Sequence, residues 1–350
     1  MNVLFRVIRL KRLLLSFSIA VLTVGIAFTG WQYYNRSAAV SGDKFIKWVD
    51  FHVPADLMYQ AYQLDVKSHN ENAEVKFNFV EMIAYLAARN GSEFQFDYKK
   101  ELTALTEKLK NGRSMEELTA DLKLYDFYYE SYDAIFAEYI GEHKVEVADE
   151  NGNKTLVDKY GIKAFSPIAK GYYYAESDDY GAARSYGFKR KHLGHDMMGS
   201  VGTPIIAVES GIVEVAAWNQ YGGWRIGIRS FDGKRYYYYA HLRKDKPFHS
   251  DIAEGKIVKA GDVIGYLGMT GYSTKENVNN INTPHLHFGI QLIFDESQKD
   301  GNGEIWIDPY PIVQFLRKVN CSAVEKADGE FYRKYEYFDA VSYTHLRAHE

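Results

Sequence analysis

The 350-residue chain has one cysteine, Cys321, and only 7 prolines. A single thiol excludes an internal disulfide framework and any zinc finger built on several cysteines, so a metal here must be held by His, Asp or Glu. No charge of one sign prevails. Lys+Arg number 42 against 46 Asp+Glu, a net charge of −4 that gives no footing for nucleic-acid binding. Long apolar runs are equally scarce, with a single one at the N-terminus. What is abundant is tyrosine, 29 residues, with 20 phenylalanines, a composition suited to strands and to amphipathic binding surfaces. The apolar fraction of 46% and charged fraction of 25% are those of a chain able to build a real core. The length allows one large domain or two ordinary ones.

Residues 1–12 carry Arg6, Arg9, Lys11 and Arg12 and no acid, and Leu13 to Trp31 follow as 19 residues without a charge. At ~1.5 Å per residue this segment reaches about 28 Å, roughly a bilayer core. Trp31, Tyr33 and Tyr34 sit where interfacial aromatics belong. The run is long for a cleaved signal peptide, and Ala27-Phe28-Thr29 is a poor cleavage site. Residues 1–36 are therefore expected to form a cytoplasmic tip and an uncleaved signal anchor. The rest then lies on the outer side of the membrane; cleavage would make it secreted.

The exported part divides in two. Residues 42–145 read as helical. Ala55, Leu57, Met58, Ala61, Tyr62 and Leu64 follow a 3.6 period after Pro54, Phe79 to Arg89 is apolar on one face up to Gly91, and Leu102, Leu105 and Leu109 continue to Gly112. Ser114-Met115-Glu116-Glu117 is a capping box, read as opening one helix through about Ile140. Its tyrosine stripe is read as core packing, with a glycan- or partner-binding groove as the alternative. From about residue 146 to 320, short β-type runs alternate with glycine turns. They begin with a hairpin around Glu150-Asn151-Gly152-Asn153 and include Arg235 to Ala240 and His285 to Leu292. The fold class is thus α+β: an anchor, a helical region, and a mainly antiparallel β-sandwich or roll. Residues 321–340 form a C-terminal extension.

Histidines gather in the β region in three patches. Lys191-His192-Leu193-Gly194-His195-Asp196 offers His-x-x-x-Asp, Tyr239-Ala240-His241-Leu242 offers a lone imidazole, and Thr283-Pro284-His285-Leu286-His287-Phe288 offers His-x-His. In a strand, His-x-His points both rings to one face. Two imidazoles and a carboxylate with an open fourth position are the donor set of a catalytic zinc site, and two further histidines can move protons and stabilise an oxyanion.

The stretch from about Phe165 to Asp308 resembles the lysostaphin-type (LytM-type) zinc endopeptidases. The matching segments, in order, are Tyr180 to Arg184, His192 to Asp196, Gly202 to Ala207, Gly211 to Val213, Gly222-Gly223-Trp224, Tyr239 to Leu242, Val258 to Gly271, and His285 to Phe288. The resemblance implies one Zn2+ per chain held by His192, Asp196 and His287. It implies catalytic roles for His285 and His241, one as general base and the other as oxyanion stabiliser, without saying which. It implies hydrolysis of peptide bonds in peptidoglycan, in stem peptides or cross-bridges. The alternative is a catalytically silent, anchored cell-wall scaffold or activator on the same fold. Three departures from the family pattern stand out. His195 replaces an aliphatic residue, as a packing neighbour of the site or an extra ligand. Gly289 follows Phe288 where Glu is usual. Tyr236 to Tyr239 is unusually rich in tyrosine, with Tyr237 and Tyr239, together with Arg184, expected to line the substrate groove. The helical region is expected to be a regulatory cap over that groove, a spacer, or a docking domain for a regulatory protein. Finally, Val341 to Glu350 resembles translated read-through of a sequencing adapter, so His345 and His349 are excluded from the site.

Overall fold

A computed structural model describes residues 45–49, 51–71, 73–185 and 189–340. The expectations for residues 1–36 and 341–350 lie outside the described residues, among which no helix is long and apolar enough to cross a membrane. The described residues from 49 to 340 form one compact unit.

Local signals place the helices. Helix α1, Ala55–Asn70, starts after Pro54 with Asp56 in its first turn. In α2, Phe79–Asn90, the Asn78 side chain accepts from the Glu81 amide, and Gly91 ends the helix at φ 101°, a backbone conformation that suits glycine. Helix α3, Tyr98–Lys110, is capped by Asp97 in the same way. The capping box at Ser114 and Glu117 forms as read, but it opens a helix of 5 residues, α4, Met115–Thr119. The expected continuation to Ile140 is interrupted. Three-residue turns from Leu122 to Thr119 and from Tyr125 to Leu122 replace the helical ladder. A separate helix α5, Tyr125–Phe136, follows.

Strands begin at Ile140, so the expected boundary at 145 falls inside β1, Ile140–Ala148, which pairs with β2, Lys154–Ile162, in the expected hairpin. The main sheet is antiparallel. Its order runs β11 (Ile257–Val258), β8 (Gly211–Asn219), β9 (Gly223–Ser230), β10 (Arg235–Ala240), β13 (His285–Leu292), β6 (His195–Gly199) and β3 (Tyr174–Glu176). Strand β14, Ile305–Ile307, pairs with the C-terminal half of β13. Beside it lie the pair β7 (Pro204–Ile206) and β12 (Val263–Tyr266), and the hairpin β4 (Ala183–Ser185) and β5 (Lys189–Lys191). A helix not read from the sequence, α6, Tyr310–Val319, buries Ile312, Val313, Phe315 and Leu316. The 321–340 extension folds back as the hairpin β15 (Val324–Ala327) and β16 (Glu330–Arg333), then as β17 (Tyr337–Phe338), which pairs with β1.

The main sheet has two unlike faces. Arg235, Tyr237 and Tyr239 of β10 and Leu286, Phe288 and Ile290 of β13 are buried on the face that meets the helical region. There Tyr237 reaches the Tyr139 hydroxyl, and Arg235 donates to the Ala134 carbonyl at 2.6 Å. Phe79 brings α2 together with Phe136 of α5 and Phe315 of α6, with ring centroids 5.2 and 6.1 Å away. The opposite face is an open groove. The helices therefore back the sheet, and the expectation of a cap over the groove does not hold. This packing encloses a charge pair: Arg235 is 0% exposed and binds Glu209 through two hydrogen bonds, at 2.8 and 2.9 Å, and Asp232 at 2.9 Å.

Removing one member of a buried, hydrogen-bonded ion pair leaves an uncompensated charge. The variant Arg235→Ala is expected to lose about 3–5 kcal/mol of stability by chemical denaturation. The conservative Arg235→Lys is expected to recover only part, because a lysine cannot form the paired contact to Glu209.

Candidate metal centre

Cross-strand register assembles the centre. On β13 the alternation puts His285 and His287 on the groove face. Asp196 of β6 is the direct partner of His287 in the ladder, and directly opposed side chains start only about 5 Å apart. His192, four residues before Asp196, comes from the segment between β5 and β6. Its Nε2 lies 3.0 Å from Asp196 Oδ1 and 2.9 Å from His287 Nδ1, and His287 Nδ1 is 2.9 Å from the same oxygen. Three ligand atoms thus converge with sides near the ~3.3 Å edge of a tetrahedral zinc site with ~2 Å bonds. Among the described residues this is the only cluster of its kind. Two imidazoles and one carboxylate, with no thiolate and all three lining the groove, fit zinc with a position left for another ligand.

Neighbours hold each donor in place. His192 Nδ1 is 3.2 Å from the Asp179 carbonyl, so it carries the proton and leaves Nε2 for the centre. The Asp179 carboxylate is also 3.2 Å from that nitrogen and pairs with Arg184. Arg184 in turn lies 3.4 Å from Asp196 Oδ2, holding the far oxygen of the ligand carboxylate. Gly194 keeps the space clear: a Cβ there would sit 2.6 Å from His287 Nε2.

His241 follows β10 with φ 61°, which turns its ring into the groove out of step with the strand. Its Nδ1 donates to the Thr270 carbonyl at 2.9 Å, and its ring centroid lies 4.7 Å from that of His285. His285 donates from Nδ1 to the Thr283 carbonyl at 2.8 Å, and its Nε2 is 3.8 Å from Asp196 Oδ1. In the neutral form, each ring therefore leaves Nε2 as its acceptor.

Electrostatics separate the roles. Burial works to lower the His192 pKa, but the hydrogen bond and charge of Asp196 outweigh it and leave it raised. Asp196 is held far below the usual carboxylate range: burial opposes this, and hydrogen bonds from His192 and His287 prevail. His241 is pushed well below the ordinary histidine value by burial and then by His285 and His287. His287 is lowered chiefly by burial.

The five expected histidine and aspartate positions thus meet in one groove of about 620 Å3. The expected groove residues differ. Tyr237 and Tyr239 are 0% exposed and lie in the core, bonded to Glu209 and to the Val208 amide. Tyr236 and Tyr238 line the groove instead. Counting back in twos from His241 lands on the wrong face, because His241 has left the strand. Counting from Ala240, the ladder partner of His287, gives the right one. Arg184 does line the groove, but its guanidinium is engaged by Asp179 and Asp196. His195 points away from the centre, 2.8 Å from Glu176 and against Tyr310, and is a packing residue. At Gly289 a Cβ would sit 2.8 Å from the Trp306 ring, which covers the place where the usual Glu would stand. Asp179 and Trp306 carry no motif of their own, although Asp179 directly precedes the Tyr180 to Arg184 segment; Thr270 lies inside the Val258 to Gly271 segment.

Zinc titration of the wild type is expected to saturate at one ion per chain, and His287→Ala to abolish it. Gly194→Ala should weaken zinc about 10–100-fold by displacing that ring, as disturbed supports of metal ligands do. Because His192 holds its proton above the usual pKa, zinc uptake should release protons. Affinity should fall as the pH drops through that raised value. Competition titrations with a chelator at several pH values check all three.

Residues 190–300 match the model of Peptidase family M23. The L-Ala–D-Glu endopeptidase of Bacillus subtilis (strain 168) is 38% identical over 145 residues, 41% of this chain and 40% of that protein. Lysostaphin of Staphylococcus staphylolyticus is 41% identical over 98 residues, 28% of this chain and 18% of the relative. The chain thus spans well under half the length of these relatives. The solved catalytic domain of lysostaphin from Staphylococcus simulans is 34% identical, covers 40% of this chain and 92% of that domain, and has a TM-score of 0.31. On the family match and these identities, the β region built around His192, Asp196 and His287 is a Peptidase family M23 domain, homologous to the lysostaphin-type endopeptidases.

Proposed function

We propose that the chain is a zinc-dependent endopeptidase that hydrolyses peptide bonds of bacterial peptidoglycan. We further propose that it is held by residues 1–36 at the cytoplasmic membrane with its β region on the cell-wall side. The observation that carries the catalytic reading is the meeting of His192, Asp196 and His287 within 3.0 Å of one another, beside His241 and His285 in one groove. The names of the relatives, an L-Ala–D-Glu endopeptidase and lysostaphin, support peptidoglycan peptides as the substrate class. The basic N-terminus followed by 19 uncharged residues supports the anchor.

Bound by His192, Asp196 and His287, zinc would supply a water acidified to a pKa of ~7 and a Lewis acid for the scissile carbonyl. The chain's own groups do the rest. With Nδ1 committed to the Thr270 carbonyl, His241 offers Nε2 as a proton acceptor, and its lowered pKa keeps it neutral at cellular pH. His285 presents the second free Nε2 beside Asp196. Between them, the two rings can accept the proton of the attacking water and stabilise charge on the carbonyl oxygen. The hydrogen bonds to Thr270 and Thr283 fix both rings beforehand, so little reorganisation is needed at the moment of reaction.

Purified peptidoglycan incubated with the zinc-loaded chain should yield new amino termini. These should vanish with a chelator and in His287→Ala; zinc uptake without cleavage would defeat the enzyme reading. His241 sets a second expectation. With its lowered pKa it stands neutral beside the centre, so His241→Ala should lower kcat/KM about 10²–10⁴-fold at full zinc loading, the usual worth of a positioned proton acceptor. A kcat/KM unchanged in that variant would remove His241 as the proton acceptor.

A further inference from the structure

Arg225 lies on β9 in the groove, half-buried, and among the described residues its guanidinium makes no hydrogen bond and no ion pair. Arg190 of β5 also lines the groove. It donates to the Tyr272 hydroxyl and lies 5.4 and 5.9 Å from the Tyr272 and Tyr221 rings, but it too has no carboxylate partner among the described residues. Both cations act on one half-buried phenol, that of Tyr238, whose hydroxyl also bonds Asn219. The Tyr238 ring packs edge-on to His287 with centroids 5.9 Å apart. The two guanidinium groups thus flank a tyrosine that touches a residue of the metal centre.

The other charges of the groove are engaged. Glu214 is paired with Lys299 at 2.8 Å, and Glu304 accepts from Trp306 Nε1 at 2.7 Å and from the Gly301 amide. Arg184 is held by Asp179 and Asp196. Asp300 is exposed, and Lys191 projects at the exposed rim. Glu214 and Asp300 act with Arg225 on the Tyr236 phenol, but neither bonds that arginine. Two cations partly removed from water without a paired carboxylate cost folding energy, and an anion bound to them offsets that cost. A guanidinium fork matches the two oxygens of a carboxylate.

We propose that Arg190 and Arg225 form a carboxylate-binding subsite. It selects peptides with a free carboxylate within about two residues, ~7 Å of extended chain, of the cleaved bond, over neutral chains such as oligoglycine. The proposal rests on the peptidase reading for its substrate and deepens it. Arg225 and Arg190 are specificity residues, distinct from the groups that handle protons.

The test uses the full zinc-loaded chain and three peptides: one containing Ala–D-Glu with its carboxylates free, the same peptide with those carboxylates amidated, and pentaglycine. The readouts are kcat/KM and, by calorimetry, Kd. The wild type should prefer the free acid over the amide by about 10-fold or more, as expected for a charge-assisted pair. In Arg225→Gln the ratio should fall close to 1, in Arg190→Gln it should fall in the same direction, and Arg225→Lys should keep part of it. A wild-type ratio near 1, or a ratio unchanged in Arg225→Gln, overturns the subsite. Zinc content and thermal melting verify each variant. Should the Gln variants fail to fold, the wild-type preference must still weaken with added salt, and a salt-independent preference overturns the proposal. Binding separates the two readings. A preference for the free acid that is lost in Arg225→Gln, without cleavage of any peptide, keeps the subsite and removes the peptidase. Cleavage without discrimination does the reverse. No preference in binding or cleavage removes the subsite whatever the activity.

Discussion

The register of three strands, β6 against β13 against β10, is the constraint on which the site depends. Asp196 faces His287 across one ladder, and Ala240 faces His287 across the next. Because side chains alternate, a slip of one residue in either pairing would send a ligand into the core and a phenylalanine into the groove. Register is fixed where one face is deeply buried. Here Leu286, Phe288 and Ile290 alternate with His285, His287 and Gly289, and the aromatic face made with Tyr237 and Tyr239 has only one good fit. The core therefore sets the metal geometry, with the ligands as its outward-facing residues.

Around that register, backbone carbonyls and missing side chains finish the work. Carbonyls of Asp179, Thr270 and Thr283 each take an imidazole Nδ1 proton, which selects the tautomer of His192, His241 and His285 without adding charge. Glycines supply space where the loops crowd the rings. A Cβ on Gly271, at φ 122°, would sit 3.0 Å from His241 Nδ1, just as one on Gly194 would strike His287. At His192 the Asp179 carboxylate stands beside its own carbonyl and helps to raise the pKa, whereas Thr270 offers the His241 Nδ1 a carbonyl alone. A neutral carbonyl leaves His241 free to stay unprotonated in a buried site.

Much of this was legible in the chain, and the failures have physical causes. Short-range signals read well: the strands Arg235–Ala240 and His285–Leu292, the end of α2 at Gly91, and the capping box at Ser114. The His-x-His and His-x-x-x-Asp spacings pointed to the ligands because strand alternation is local. The length of the helix after Ser114 did not read well, since the turns at Leu122 and Tyr125 that break it carry no glycine or proline to mark them. Helix α6 went unread although Ile312, Val313, Phe315 and Leu316 have helical spacing; its prolines at 309 and 311 disguise a helix start as a turn. The tyrosine face was misread because the positive φ of His241 breaks the alternation from which the face would be counted. Asp179 acts through His192, which only the tertiary fold brings near.

The far face of the sheet bears on what the helical region does. Arg235 and Tyr237 are core positions of β10, yet both carry polar groups that must be satisfied away from water. Glu209 answers both, and the region before β1 supplies what remains: the Ala134 carbonyl from α5 and the Tyr139 hydroxyl just after it. Without residues 125–139, a guanidinium and a phenol beneath the central strand would lose partners, and the aromatic face that sets the β10–β13 register would lie open to water. The helices are therefore half of the core on which the groove is built. A partner that altered their packing would act on the metal centre through strand register, from the side of the sheet opposite to the substrate.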